Sequence, residues 1–319
     1  MGTIREYTGL LKLTLRRWFD RNPFRNSTVI AYYTLFSLPG LLIIVINIVG
    51  YFYGPDKVTE KITTQIREII GSQVARDVKA IVTEAHVQED STFASIVGVA
   101  AILFGATGVF YHLQQTLNII WEVKPEPKQR FFKLIRDRLF SFGMVLAIGF
   151  LLLVSFALST LITVVSGWVT DHLSKSLSLL FYALDIILSL GIITFLFAAI
   201  FKFLPDVKIL WRDVWGGAIL TSILFIIAKF ILGFYFVHND PGSAYGAAGS
   251  IIVILLWVSY AGIILLVGAE FTRVHTRHFR PNIEISEYAV PIEDTELKQM
   301  NEALNFEARP HSHKKAEGK

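Results

Sequence analysis

The chain has 319 residues and a formal net charge of +4, with 53% hydrophobic but only 18% charged residues. Soluble domains carry about a quarter charged residues, and the few charges here are unevenly distributed. Four stretches contain no Asp, Glu, Lys or Arg: those between Arg25 and Asp56, Asp90 and Glu122, Arg138 and Asp171, and Asp240 and Glu270. Each exceeds the ~20 residues with which a helix crosses a bilayer. This pattern excludes a soluble globular fold and predicts an all-α, polytopic membrane bundle.

Six transmembrane helices are predicted from the charge-free stretches and the apolar runs between them. Their predicted bounds are 28–52, 92–113, 140–166, 178–203, 214–237 and 246–270. Lys and Arg concentrate in alternate connections, with six in 1–27 and six in 114–139, but one in 167–177 and none in 238–245. By the positive-inside rule both termini are predicted to be cytoplasmic, and 114–139 is predicted to be a cytoplasmic connection.

The N-terminal segment 1–27 predicts a cytoplasmic interfacial helix. Its predicted apolar face consists of Tyr7, Leu11, Leu15 and Trp18, opposite Lys12, Arg16 and Arg17. Such helices lie among lipid headgroups and attract anionic lipid. Because the positive-inside rule already explains these basic residues, we expect membrane lipids and no nucleic acid as partners.

The first predicted span contains Tyr32 and Tyr33, followed by Pro39. Proline removes a backbone donor, so a kink is predicted at Pro39. Broken helices occur where the backbone lines a cavity, although ordinary membrane helices are often kinked too. Tyr32 and Tyr33 are therefore candidates for substrate contact.

Residues 54–91 predict an outward-facing amphipathic helical hairpin, because branched apolar residues recur there at helical spacing. Gly71-Ser72 separates the two helices, and Ser72 is a plausible N-cap. The favoured interpretation is a cap that rests on lipid headgroups, and the alternative is a lid over the bundle. The apolar positions are Ile62, Ile66, Ile69, Ile70, Val74, Val78, Ile81 and Val82.

Two charges lie well inside predicted spans, Asp185 in the fourth and Lys229 in the fifth. Each costs about 2.5–3.5 kcal/mol on insertion scales, so such residues are functional candidates. They are predicted at matching depth on consecutive helices. One interpretation is an ion pair that fixes helix packing. Another is an outward cavity in which Lys229 receives an anionic headgroup and Asp185 tunes it. A third is that Lys229 snorkels outward and meets no partner.

Polar residues near the inner ends of spans offer further candidates. Gln114 and Asn118 share a helix face and could line an inner vestibule, or could bond to another helix. Glu270 is predicted to pair with a basic residue of another helix end. Gly216 and Gly217 predict a close helix contact. Residues 271–319 become polar and predict a flexible cytoplasmic tail.

Patterns for catalysis are missing. The sequence contains no cysteine, no His-Glu-x-x-His and no Gly-x-Ser-x-Gly. His311 and His313 form a His-x-His pair, but two histidines in a polar segment make a weak metal site. We therefore expect no enzymatic activity, no cofactor and no bound metal.

Five segments together resemble the YihY/virulence factor BrkB family of bacterial membrane proteins, over most of residues 10–278. They are AYYTLFSLPG (31–40), FGATGVFYHLQQTLNIIWEV (104–123), LPDVKILWRDVWGGAILTSILFIIAKFILGFY (204–235), AYGAAGS (244–250) and GAEFTRVH (268–275). The resemblance implies a multi-pass protein of the bacterial cytoplasmic (inner) membrane. The family name is tied to serum resistance, and some relatives are linked to export of envelope lipid. The family's older label, ribonuclease BN, is rejected because the His-x-His-x-Asp-His cluster of zinc-dependent nucleases is absent.

The leading hypothesis is a transporter or exporter of a lipidic or amphipathic envelope substrate, such as an anionic envelope lipid. Its candidate substrate-binding residues are Lys229, Asp185, Tyr32, Tyr33, Gln114 and Asn118. The competing hypothesis is a non-transporting scaffold for envelope synthesis, and an intramembrane enzyme is the weakest alternative.

Overall fold

The computed structural model describes residues 2–69, 72–86, 108–125, 143, 175–239, 245, 248–287 and 289–293. These residues are mostly helical, as predicted, with the addition of two short strands. The helices are α1 (Gly2–Asp20), α2 (Pro23–Tyr53), α3 (Pro55–Ile69), α4 (Ser72–His86), α5 (108–121), α6 (Lys175–Phe203), α7 (Trp211–Asn239) and α8 (Gly249–Phe279). The strands are β1 (Val123–Pro125) and β2 (Ala289–Pro291).

Two of these helices are long and apolar enough to cross a membrane, α7 over Trp211–Phe236 and α8 over Gly249–Phe279. The 31 residues of α8 extend about 46 Å at 1.5 Å per residue, compared with a hydrocarbon core of ~30 Å. One end of α8 must therefore project beyond the hydrocarbon.

Several predicted helix limits are corrected by the structure. Helix α2 begins at Pro23 rather than at 28, α5 continues to 121 rather than ending at 113, and α8 continues to Phe279 rather than ending at 270. Charged and polar residues can extend a helix past the bilayer, so charge-free stretches underestimate helix length. The predicted span 140–166, except residue 143, and most of 92–113 lie outside the described residues.

Helix α8 occupies the centre of the described bundle and contacts α1, α2, α4, α6 and α7. A tight contact with α7 occurs where Gly217 faces Gly268. A Cβ atom at Gly217 would lie 2.8 Å from the Gly268 carbonyl oxygen and would overlap the Thr272 hydroxyl. A Cβ atom at Gly268 would likewise overlap the Thr221 hydroxyl. Each threonine hydroxyl donates to the glycine carbonyl four residues earlier on its own helix, at 2.6 Å from Thr221 and 2.8 Å from Thr272.

Helices α3 and α4 pack against each other. Their apolar face is buried against protein, because Val74 and Val78 pack on Leu232, Phe236 and Val253. A second group places Val58 and Val82 among Val45, Ile46 and Val49 of α2. The interpretation in which this face rests on lipid headgroups is therefore wrong: the face is part of the core. The lid hypothesis stays a prediction.

Helix α1 packs on α8 through a face that differs from the predicted one. Leu10, Thr14 and Trp18 are buried, whereas Leu11 and Leu15 are exposed. Trp18 thus joins the protein core, and the exposed leucines remain available to lipid. The helix has two apolar faces, which a single predicted stripe could not separate.

Strands β1 and β2 pair antiparallel, with Val123 opposite Pro291 and Pro125 opposite Ala289. The Ile292 amide donates to the Glu122 carbonyl at 2.9 Å, and Val207 forms a bridge with Ile285. The predicted flexible tail from 271 is therefore corrected for its first part: residues up to 279 continue α8, and residues 281–287 and 289–293 dock on the bundle. The rest, 294–319, lies outside the described residues.

Candidate functional site at the ends of helices α5 and α8

Five charged side chains meet where α1, α5 and α8 come together, and we call them the ionic cluster. Glu270, Arg273 and Arg277 lie on successive turns of α8. Arg21 lies between α1 and α2, and Glu122 lies between α5 and β1. Asn22 and Glu122 both have left-handed backbone conformations, with φ of 50° and 59°. Asparagine tolerates this conformation, whereas it is costly for glutamate, so the backbone of Glu122 is held by its surroundings.

Glu122 is the centre of the ionic cluster. Its Oε1 lies 2.9 Å from Arg21 Nη2 and also contacts Arg273 Nη2, and its Oε2 lies 2.9 Å from Arg277 Nη1. Glu270 accepts from Arg273 Nη1 at 3.1 Å and lies 3.3 Å from Arg21 Nε. The sequence-based expectation that Glu270 pairs with a basic residue of another helix end is therefore confirmed by Arg21.

The ionic cluster is deeply buried and carries excess positive charge. The side chains of Arg273 and Glu270 are 0% exposed. Glu122 is 23% exposed, and Arg277 is 42% exposed. Three guanidinium groups face two carboxylates, which leaves one positive charge in excess. Buried charges are tolerated when they are paired, and the two carboxylates contact arginines of α8 and of the turn after α1. Among the described residues, Glu270 Oε2 and Arg273 Nε have no hydrogen-bond partner.

The electrostatics of this cluster favour its charged form. Burial alone would raise the pKa of Glu122, but Arg273, Arg277 and Arg21 outweigh burial and hold that pKa below its ordinary value. Burial lowers the pKa of the Arg21 guanidinium, while Glu270 and Glu122 oppose that effect. The carboxylate of Glu122 is thus ionised throughout the neutral range.

Acidification is expected to destabilise the protein through Glu122. Because its pKa is lower in the folded state, its contribution to stability is complete above its ordinary value of 4.5 and is lost as the pH falls through the folded-state pKa. E122Q should be less stable than wild type at neutral pH but should lose less stability on acidification. Thermal unfolding midpoints in detergent across this pH range test the difference. E284Q, at an exposed position, should follow wild type; an identical acid dependence in E122Q would contradict the assignment.

Gln114 and Asn118 lie on one face of α5, as predicted, and both contact Asp206. Asn118 Nδ2 donates to the Asp206 carboxylate at 2.7 Å, and the Asp206 amide donates to Asn118 Oδ1 at 2.8 Å. Gln114 Nε2 lies 3.4 Å from the other carboxylate oxygen. These bonds join α5 to the α6–α7 connection, which agrees with the bonding alternative. A substrate contact for either residue stays a prediction.

Replacing Asn118 by alanine should cost about 1–3 kcal/mol of stability, because the buried carboxylate of Asp206 loses a donor. Thermal unfolding in detergent measures this loss. Gln115→Ala is the matched control, since Gln115 is an exposed amide on the same helix. Equal midpoints for the two variants would argue against a structural role of the Asn118–Asp206 contact.

The other predicted site residues are not brought together with the ionic cluster. Tyr33 stacks on His112 with ring centroids 3.5 Å apart, and Tyr32 is exposed beside Phe36. Lys229 is exposed on α7. The backbone of Asp185 lies in α6, but its side chain is outside the described positions, so its pairing with Lys229 stays a prediction. Helix α2 continues through Pro39, and the kink stays a prediction.

Sequence reasoning missed Arg21, Glu122, Arg273 and Arg277 as one site. The three arginines were explained by the positive-inside rule, which assigns no partners. One pattern could have indicated the site: Glu122 and Glu270 are each the first charge after a long apolar stretch. Acidic residues at such positions, surrounded by arginines, suggest paired charges.

Sequence comparisons relate this chain to a family of membrane proteins. The profile of a family described as virulence factor BrkB matches residues 14–292, and this range includes β2. The chain is 26% identical over 294 residues to a UPF0761 membrane protein of Vibrio vulnificus strain YJ016, covering 89% of this chain and 88% of the relative. A UPF0761 membrane protein of Methylibium petroleiphilum is 30% identical over 176 residues, covering 54% of this chain and 40% of the relative. No solved structure matches the chain.

Proposed function

This chain belongs to the virulence factor BrkB family of membrane proteins. We propose that it moves a lipidic or amphipathic envelope substrate across the bacterial inner membrane. The proposal includes the six predicted spans, with both termini in the cytoplasm. It assigns no catalytic step to the protein. The substrate class is an anionic envelope lipid.

The position of Lys229 carries the proposal. Lys229 lies within the apolar, membrane-capable part of α7, where a charge is costly. It shares a helix face with Leu232 and Phe236, three and seven residues later, which are both buried. Yet Lys229 itself is exposed. An exposed cation on the inward face of a membrane helix is suited to an anionic group that enters between helices.

The buried hairpin and the ionic cluster lie near opposite ends of α8. The α3–α4 hairpin covers the end of the bundle near Val253 and Phe236. The ionic cluster joins α1, α5 and α8 near the other end of α8. Because protein contacts hold both ends of α8, the proposal has the lipid enter from the side of the bundle, near Lys229.

Lipid movement in proteoliposomes tests the proposal. Full-length protein is reconstituted with a fluorescent phosphatidylglycerol, and the fraction reached by a quencher outside the vesicle is followed over time. K229A should lower the rate about tenfold, K229R should retain most of it, and D185A tests the predicted partner. K208A is the matched control, since Lys208 is an exposed lysine paired with Glu284 at 3.2 Å. Equal rates for K229A and K208A would refute a role for Lys229.

The scaffold alternative makes a different prediction. If the protein only recruits an envelope-synthesis partner through its tail, removal of residues 294–319 should abolish its envelope phenotype. In that case neither the full-length nor the truncated protein should move lipid in proteoliposomes. Under the transport proposal this truncation has little effect, because the docked segment 281–293 is retained. Complementation of a deletion strain by the truncated and full-length chains distinguishes the two.

A further inference from the structure

A cavity of about 90 Å³ lies beside the ionic cluster, between α8 and the segment that carries β2. Its polar side chains in the described chain are Glu122 and Arg277, and the remaining lining is largely apolar. The apolar side chains are Trp121, Val207, Ile283 and Ile285. An apolar lining strengthens the field of the few charges that face the cavity.

Of the five side chains in the ionic cluster, Arg277 is the one that can donate further hydrogen bonds to a group in this cavity. Its Nη1 contacts Glu122 at 2.9 Å, and the side chain is 42% exposed. A guanidinium group has five N–H donors in a planar fork, so donors remain for a further acceptor. Glu122 also lines the cavity, but its two oxygens already face three guanidinium groups.

The charge balance around the cavity favours an anion. The ionic cluster has one positive charge in excess, and Arg17 adds repulsion on Arg277. The acidic residues of the adjoining segment, Glu284, Glu287 and Glu293, are exposed, and Glu284 contacts Lys208. An anion in the cavity would neutralise the excess charge and accept hydrogen bonds from Arg277.

We propose that this cavity, the α8–β2 cavity, binds an anionic phosphate group with Arg277 as its main ligand. The guanidinium fork matches phosphate oxygens in pairs. The phosphate belongs either to an anionic lipid headgroup or to a soluble phosphate compound. The site does not depend on transport, and it is separate from the predicted site at Lys229.

Binding to purified full-length protein tests the site with two probes. Inorganic phosphate is compared with chloride at equal ionic strength by the thermal unfolding midpoint. Phosphatidylglycerol is tested by native mass spectrometry after release from phosphatidylcholine nanodiscs with and without that lipid. R277Q removes the excess charge while Glu122 keeps Arg21 and Arg273, so the variant should fold. R212Q is the matched control, since Arg212 is exposed at the start of α7 and is not among the residues that line the cavity.

R277Q should weaken binding of at least one probe about tenfold, whereas R212Q should behave as wild type. Stabilisation by inorganic phosphate alone supports the site and assigns it to a soluble compound; selective retention of phosphatidylglycerol assigns it to a lipid headgroup. I283W keeps all five charges of the ionic cluster and fills the cavity with a larger side chain, so it should also weaken binding of the probe. This second variant tests the site if R277Q fails to fold. Equal binding of both probes by wild type, R277Q and I283W would overturn the proposal. None of these outcomes depends on lipid movement or on Lys229.

Discussion

Replacing Arg273 by alanine is expected to prevent accumulation of folded protein. Arg273 is fully buried and contacts both Glu122 and Glu270, so its removal leaves the buried carboxylate of Glu270 with Arg21 alone. Breaking a buried ion pair on one side costs about 3–5 kcal/mol, which is a large part of the stability of most proteins. The yield of monodisperse protein after detergent extraction measures the effect.

Two further variants test whether the loss of folded protein arises from the unpaired buried charge. K208A removes an exposed lysine that pairs with the exposed Glu284 at 3.2 Å, so it should cost at most about 1 kcal/mol. R273L combined with E270L removes one charge of each sign and should recover part of the yield lost in R273A, because well-packed apolar residues can replace a buried pair. If R273A accumulates as well as K208A, the ionic cluster does not stabilise the fold.

Replacing Gly217 by valine is expected to force α7 and α8 apart. Even a Cβ atom there would overlap the Thr272 hydroxyl and lie 2.8 Å from the Gly268 carbonyl oxygen. Overpacking typically costs about 1–3 kcal/mol, and more where backbone cannot move. Because membrane helices associate through close packing of small residues, we expect a marked fall in the thermal unfolding midpoint.

The neighbouring glycine supplies the control. A Cβ atom at Gly216 would have its nearest contact at 3.7 Å, to the ring of Phe271, so G216A should be tolerated. Adding T272A to G217V should not restore stability, because the Gly268 carbonyl remains in place. A full rescue by T272A would show that the side chain, rather than the backbone approach, limits the packing.

The helices were predictable because hydrophobic length is a local property of the chain. The apolar run between Asp240 and Glu270 predicted most of α8, and the spacing of Val74 and Val78 predicted α4. The limits were less accurate, since Glu270 and Arg273 lie inside α8 but were assigned to its end. A helix continues wherever its next turn forms packing contacts or ion pairs. The partners in those contacts lie in other segments of the chain, so the sequence of one segment does not reveal them.

Long-range contacts explain what the sequence did not predict. Strand β2 has only three residues and forms because β1 lies opposite, although polar composition suggested a flexible tail there. Gly217 was identified as a small residue at a contact, but its partner Gly268 was missed because pairing between helices has no local pattern. The ionic cluster was missed for the same reason.

The pairing of β1 with β2 sets an order for assembly during synthesis. Chains emerge from the ribosome with their N-terminal part first, so Glu122 enters the membrane with Arg21 as its available cation, and β1 has no partner strand. Arg273 and β2 arrive together at the end and complete both contacts. A nascent chain that stops before Arg273 therefore leaves Glu122 with Arg21 as its one arginine partner in the ionic cluster, and a chain that stops before Ala289 leaves β1 without its partner strand. The contacts made by residues that follow α6 and α7 thus complete a site whose first members were synthesised before those two helices.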